Sequence, residues 1–177
     1  TSYIVADYLK QGFLNIKDST TVSEKCWRME GSRMFIQEGK KVLIEDLMRG
    51  MIIQSGNDAA CALAEHIAGT QEDFASLMND YAQKMELKNT NFTNPTGLPN
   101  VNHYSTAEDI AKLSIVLIND FPDEYAIYSE KEFTYNDIRQ LNRNSLLWQD
   151  DSIDGIKTGH TRSSGYCLVA SSKRADM

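Results

Sequence analysis

Between Leu43 and Gly69 the chain carries two apolar helical stretches separated by a four-residue polar break, Gln54-Ser55-Gly56-Asn57. On the first stretch Leu43, Leu47 and Met51 recur at every fourth residue beside Ile44, Met48 and Ile52. That spacing lays one broad apolar face along a helix. The second stretch restarts through Ala59, Ala60, Leu63, Ala64 and Ile67 and stops at Gly69, a residue type that ends helices readily. The arrangement fixes a polar turn between two elements that must be buried. A hydroxyl at such a break can project into a cleft rather than bond back to its own helix.

The remaining pattern surrounds this pair with further helices and then strands. Tyr3, Ile4, Ala6, Tyr8 and Leu9 predict a helix over 1–10 that ends near Gly12. Residues 18–30 are polar and turn-rich, with Val22 and Trp27 as anchors. Thr70 with Asp73 reads as a cap, followed by the apolar stripe Phe74, Leu77, Met78, Tyr81 and Met85. Residues 89–103 form a loop rich in Asn, Thr, Pro and Gly. Ser105 with Glu108 reads as a capping box that opens a helix with Ile110, Leu113, Leu117 and Ile118 facing inward. After Phe121-Pro122 the period changes. Glu132 to Ile138 alternates weakly, as an edge strand does, and 153–160 with 166–172 predicts a β-hairpin whose apolar middle is Leu168, Val169 and Ala170. The expected fold class is α+β, a helical cluster packed on an antiparallel sheet, with no repeat or linker dividing residues 1–177.

Composition removes several function classes. The formal net charge of -7 argues against general nucleic-acid binding, which needs a basic surface to displace counterions. No run of 18 apolar residues exists to span a bilayer. The chain starts at Thr1 inside a helical pattern, so both ends are expected to be cut points, and the lack of a leader does not place the parent in the cytoplasm. Cys26, Cys61 and Cys167 form no CxxC or Cys/His cluster, so no metal is expected. They read as three reduced, partly buried thiols, with one disulfide and one free thiol as the alternative. His66 and His103 lack partners that suggest a triad and are expected to be structural or on the surface.

A second polar motif, Lys157-Thr158-Gly159, lies on the first strand of the hairpin and is followed by His160. S-x-N and K-T-G occur with S-x-x-K in enzymes that attack peptide and β-lactam carbonyls through a serine. The residue types suit that chemistry. Ser55 can relay a proton, and the Asn57 amide can both donate to and accept from a peptide group. Lys157 supplies positive charge beside a substrate carboxylate, and Thr158 offers the same carboxylate a hydroxyl. Gly159 lets a bound peptide lie close to the strand edge and pair with it. Arg143 is a candidate for binding an anionic substrate group, and ion-pair duty suits Arg139 better.

The stretches Ile52-Ile53-Gln54-Ser55-Gly56-Asn57-Asp58-Ala59, Ile138-Arg139-Gln140-Leu141-Asn142-Arg143-Asn144 and Asp154-Gly155-Ile156-Lys157-Thr158-Gly159-His160-Thr161 resemble low-molecular-mass penicillin-binding D-alanyl-D-alanine carboxypeptidases. Residues 39–50, 87–92 and 125–133 add to the likeness, which runs nearly end to end. The resemblance implies a partial DD-peptidase catalytic domain of the serine β-lactamase-like transpeptidase fold, incomplete at both ends. It implies that Ser55 shuttles a proton to the leaving D-alanine, and that Asn57 holds the substrate amide. Lys157 and Thr158 bind the terminal carboxylate, and the His160 N–H is half of the oxyanion hole. No serine in the chain has lysine three residues later, so the resemblance places the nucleophile and its base upstream of Thr1. It further implies no cofactor, a peptidoglycan stem ending in D-Ala-D-Ala as substrate, and β-lactams as covalent inhibitors. The location implied is the bacterial periplasm or the outer face of the cytoplasmic membrane, with membrane attachment only through a C-terminal anchor. The alternatives are a DD-endopeptidase or weak β-lactamase on the same fold, or a non-catalytic peptidoglycan-binding module.

Overall fold

The computed structural model describes residues 1–174. Its elements are α1 (Ser2–Lys10), β1 (Ser19–Thr21), α2 (Glu24–Trp27), β2 (Lys41–Leu43), α3 (Ile44–Ile53), α4 (Asn57–Ala68), α5 (Gln71–Lys84), α6 (Ala107–Asp120), α7 (Pro122–Tyr125), β3 (Glu132–Tyr135), β4 (Ile138–Leu141), β5 (Ile153–Thr161) and β6 (Gly165–Ser172). Short 3₁₀ turns follow at Ala126–Ser129 and Ser145–Trp148.

α3 and α4 form the centre, as their periodicity requires. Every residue from Asn57 to Ala64 is buried, and the alanines there let neighbouring elements close tightly on α4. Ile44, Leu47, Ile53 and Leu63 are fully buried, each contributing about 1.5–3 kcal/mol relative to an exposed side chain. Val5 and Ala6 of α1 join the same cluster. The α3–α4 contact thus fixes the break at 54–57 as a rigid feature of the core rather than a surface loop.

Two local readings shift. The N-cap of α6 is Thr106, not Ser105: its hydroxyl accepts from the Asp109 N–H at 3.2 Å. The Asp109 carboxylate turns away to accept from the Asn89 N–H and the Thr90 hydroxyl, tying α6 to the preceding loop. Trp27 is 39% exposed and is not an anchor; its neighbour Cys26 is fully buried in its place.

The cysteines follow the alternative reading. Cys26 of α2 and Cys61 of α4 form a disulfide with a Cα–Cα distance of 5.3 Å, and Cys167 is free and exposed rather than partly buried. Wide spacing hid the pair, since the bond spans 35 residues and depends on tertiary packing of α2 against α4. Replacing both cysteines by alanine is expected to cost about 2–4 kcal/mol. Thermal unfolding followed by circular dichroism checks this, with a fall in Tm of about 10 °C expected for a domain of this size.

The strands pair as three antiparallel two-stranded ladders, β1–β2, β3–β4 and β5–β6. β1, β2 and β4 were not anticipated because strands of three or four residues carry no readable alternation. β5–β6 is the expected hairpin, with Lys157 opposite Val169 and Gly159 opposite Cys167. Its apolar middle divides between faces. Val169 packs on the core, while Leu168 is 52% exposed, because successive strand residues point to opposite sides.

Candidate active site

At the break, Ser55 adopts φ +62, a left-handed conformation that costs a residue with a Cβ about 1–2 kcal/mol. The Gly56 N–H donates to the Gly50 carbonyl at 3.0 Å, which turns the chain out of α3. Asn57 opens α4 with two links to the segment after α2: its N–H donates to the Ser32 carbonyl at 2.8 Å and its Nδ2 to the Glu30 carbonyl at 2.7 Å. Gly31, between those carbonyls, has φ +81, and a Cβ there would stand 2.9 Å from Asn57 Nδ2. Asp58 completes the staple. Its carboxylate accepts from the N–H groups of Met34, Phe35 and Ala59, each at 2.9 Å.

The second motif arrives on β5. Lys157 Nζ donates to Ser55 Oγ at 2.8 Å and to the Thr158 carbonyl at 3.1 Å, joining motifs 102 residues apart. Two buried asparagines support the strand, Asn144 directly and Asn142 by accepting the Asn144 N–H at 2.9 Å. Asn144 Nδ2 donates to the Gly155 carbonyl at 3.1 Å, and Asn142 Nδ2 donates to the Tyr128 and Glu130 carbonyls. Between them Arg143 is exposed, with Nε donating to the Gln54 carbonyl at 2.9 Å. Behind the strand Ser171 Oγ donates to Asp154 at 2.6 Å and meets the Tyr125 hydroxyl.

A cavity of about 300 Å³ opens here, lined by Ser55, Asn57, Lys157, Ser2, His103 and Leu117 among others. Thr158 is half-buried, and Gly159 and His160 are exposed further along β5, with the His160 ring 4.2 Å from that of Tyr166. Ser55, Asn57, Lys157 and Arg143 therefore converge on one corner. Arg139 instead pairs with Glu132 on the surface. His66 is exposed, and His103 takes the Thr93 N–H on Nδ1 at 3.2 Å, its pKa lowered by burial. Sequence reasoning did not single out Asp58, Asn142 and Asn144 as the residues that hold the site, because their partners are main-chain groups.

Burial, with the Arg143 charge second, lowers the Lys157 pKa from 10.5 to about 8. Lys157 lines the cavity and the Arg143 charge acts on it from beside, so an anionic ligand there would relieve both. The sign of the pH dependence follows. Below pH 8 both folded and unfolded chains carry the proton. Between about 8 and 10.5 the folded chain gives it up first, so stability rises with pH through that window. Lys157→Met should abolish a rise of at most about 3 kcal/mol, checked by urea unfolding of both proteins on either side of the window.

A Ser-x-Asn break set against a Lys-Thr-Gly strand, on a helical cluster flanked by antiparallel ladders, defines the fold class of the penicillin-binding proteins. The family profile described as D-alanyl-D-alanine carboxypeptidase, peptidase S11, matches residues 1–177, and the chain belongs to that family. It is 50% identical to the D-alanyl-D-alanine carboxypeptidase DacA of Haemophilus influenzae, over 97% of this chain and 44% of the relative. It is 49% identical to DacC of Escherichia coli, over 100% of this chain and 46% of the relative. The crystal structure of penicillin binding protein 5 from Haemophilus influenzae superposes with a TM-score of 0.95 at 49% identity, covering 99% of this chain and 52% of that one. The chain thus spans less than half the length of these curated relatives.

Proposed function

We propose that residues 1–177 are part of a serine DD-peptidase catalytic domain that removes the terminal D-alanine from peptidoglycan pentapeptide stems and is acylated by β-lactams. The observation that carries this reading is the 2.8 Å contact between Lys157 Nζ and Ser55 Oγ, which joins the two motifs at one cavity. The names of the relatives, carboxypeptidases and a penicillin binding protein, support it.

The proposed chemistry assigns each group one task. A serine and its lysine base, expected in an S-x-x-K segment N-terminal to Thr1, attack the carbonyl of the penultimate D-alanine. The Asn57 amide holds the stem's peptide group. Lys157, Thr158 and Arg143 bind the terminal carboxylate, while Gly159 leaves the strand edge clear and the His160 N–H helps hold the oxyanion. Ser55 passes a proton to the amine of the departing D-alanine as the peptide C–N bond breaks. Water then hydrolyses the acyl-serine. None of these steps calls on a cofactor.

The Cys26–Cys61 disulfide supports an oxidising compartment, in keeping with the bacterial periplasm or the outer face of the cytoplasmic membrane. No helix of the described residues is long and apolar enough to cross a membrane. The C-terminal anchor that the resemblance implies is part of this proposal.

The test is D-alanine release from a peptide ending in D-Ala-D-Ala by a protein that carries this chain with its upstream S-x-x-K segment. Release that is lost in Ser55→Ala supports the carboxypeptidase reading. Cleavage of cross-linked stems without release of terminal D-alanine would replace it with an endopeptidase. Stem binding without either reaction would replace it with a binding module.

A further inference from the structure

The disulfide does more than join two helices. Cys26 lies four residues before Glu30, and Cys61 lies one helical turn after Asn57. The Glu30 and Ser32 carbonyls, which take the side-chain and main-chain N–H of Asn57, therefore sit on a short tether whose near end is bonded to α4 itself. From 26 to 36 the chain crosses α4 at three kinds of contact: the sulfur bridge, the Asn57 hydrogen bonds and the Asp58 carboxylate. Only the bridge is covalent.

Between the bridge and the Asp58 bonds at 34–36, the tether is held to α4 by the two Asn57 hydrogen bonds. Residues 30–33 contain no regular element, and Gly31 supplies the widest backbone freedom at the point nearest Asn57. Without the bridge, residues 30–32 stay anchored on the far side by the Asp58 bonds to 34–36 but lose the covalent anchor on the near side, which lets the two carbonyls shift relative to the Asn57 amide. The amide would then rotate, since its orientation is set by the Nδ2 to Glu30 bond. Shifts of this size at a residue that orients a substrate cost far more in rate than in folding energy.

We propose that Cys26 and Cys61 are a positioning pair for the acylation reaction, acting through Asn57. The inference rests on the reading of Asn57 given under Proposed function. Both sulfurs are fully buried, and the Glu65 carboxylate stands 3.8 Å from Cys61 Sγ. A thiolate formed there would meet a negative neighbour and no water, so exchange with small thiols is disfavoured and the oxidised, positioned state is the resting one.

The experiment measures acylation by a fluorescent penicillin in a protein that carries this chain with its S-x-x-K segment. Four forms are compared: unmodified, Cys26→Ala with Cys61→Ala, Asn57→Ala, and all three substitutions together. Loss of the bridge should slow acylation roughly ten- to hundredfold in the unmodified background, at a temperature where circular dichroism shows full folding. In the Asn57→Ala background the same loss should cost less than about twofold, because the group acted upon is gone. Equal factors in the two backgrounds, or no effect in either, would overturn the proposal and leave the bridge as a stability element only. Should the double variant fail to fold, Cys26→Ser breaks the bond with little change in volume and takes its place in the cycle. If the unmodified protein does not label, the reading of the site as an acylating centre fails, and this inference falls with it. Equal labelling with and without the bridge sinks this inference alone.

Discussion

Lys157→Met is expected to slow acylation by penicillin about 10²–10³-fold in a protein that carries the S-x-x-K segment, the loss typical of removing one charged or oriented donor from an acyl-transfer site. The methionine keeps the stem of the side chain and removes the ammonium. Ser55 Oγ then has no donor from β5 to hold it, and the carboxylate of the ligand meets Arg143 alone. The same substitution should raise stability near neutral pH, because burial disfavours the charged lysine in the folded chain. Activity and stability moving in opposite directions mark a residue kept for chemistry. A loss of less than about threefold in acylation would show that Lys157 is not part of the reacting centre.

The largest stability effect is expected at Asp58, which is 1% exposed. Asp58→Ala leaves the N–H groups of Met34, Phe35, Ile36 and Ala59 without their acceptor. Four stranded donors should cost about 3–5 kcal/mol. The loss falls on a strained segment, since Phe35 is held at φ +69 beside buried Met34 and Ile36. Asp58→Asn keeps one acceptor oxygen and should cost roughly half as much. Urea midpoints of the three proteins check the order, and a cost below about 1 kcal/mol for Asp58→Ala would mean that water replaces the carboxylate.

The two motifs were legible because each is a short contiguous run with a fixed setting, Ser55 at a helix break and Lys157 on a hairpin strand. Their meeting was legible only through the family resemblance, since nothing in the spacing of residues 55 and 157 places them within one hydrogen bond. What holds them was less visible. Asn57 is aimed by the Glu30 and Ser32 carbonyls, and Asn144 supports β5 through the Gly155 carbonyl. Every residue offers a carbonyl, so the sequence carries no mark of which one is used. The disulfide stood only as the alternative, with its pairing unassigned, for a related reason: Cys26 and Cys61 become neighbours only after α2 packs on α4. The α6 cap moved from Ser105 to Thr106 because both residues can cap, and the geometry of one turn decides between them. Leu168 was read with Val169 and Ala170 as one apolar middle, and a strand with one face outward exposes it.

The acylating centre is best probed by labelling with a fluorescent penicillin, on residues 1–177 as they stand and on a version extended upstream. Label is expected on the extended protein alone, on a serine before Thr1, with Lys157→Met slowing its appearance. Label on residues 1–177 alone would contradict the placement of the nucleophile and make Ser55 the first suspect. No label on either would contradict the reading of this site as an acylating centre.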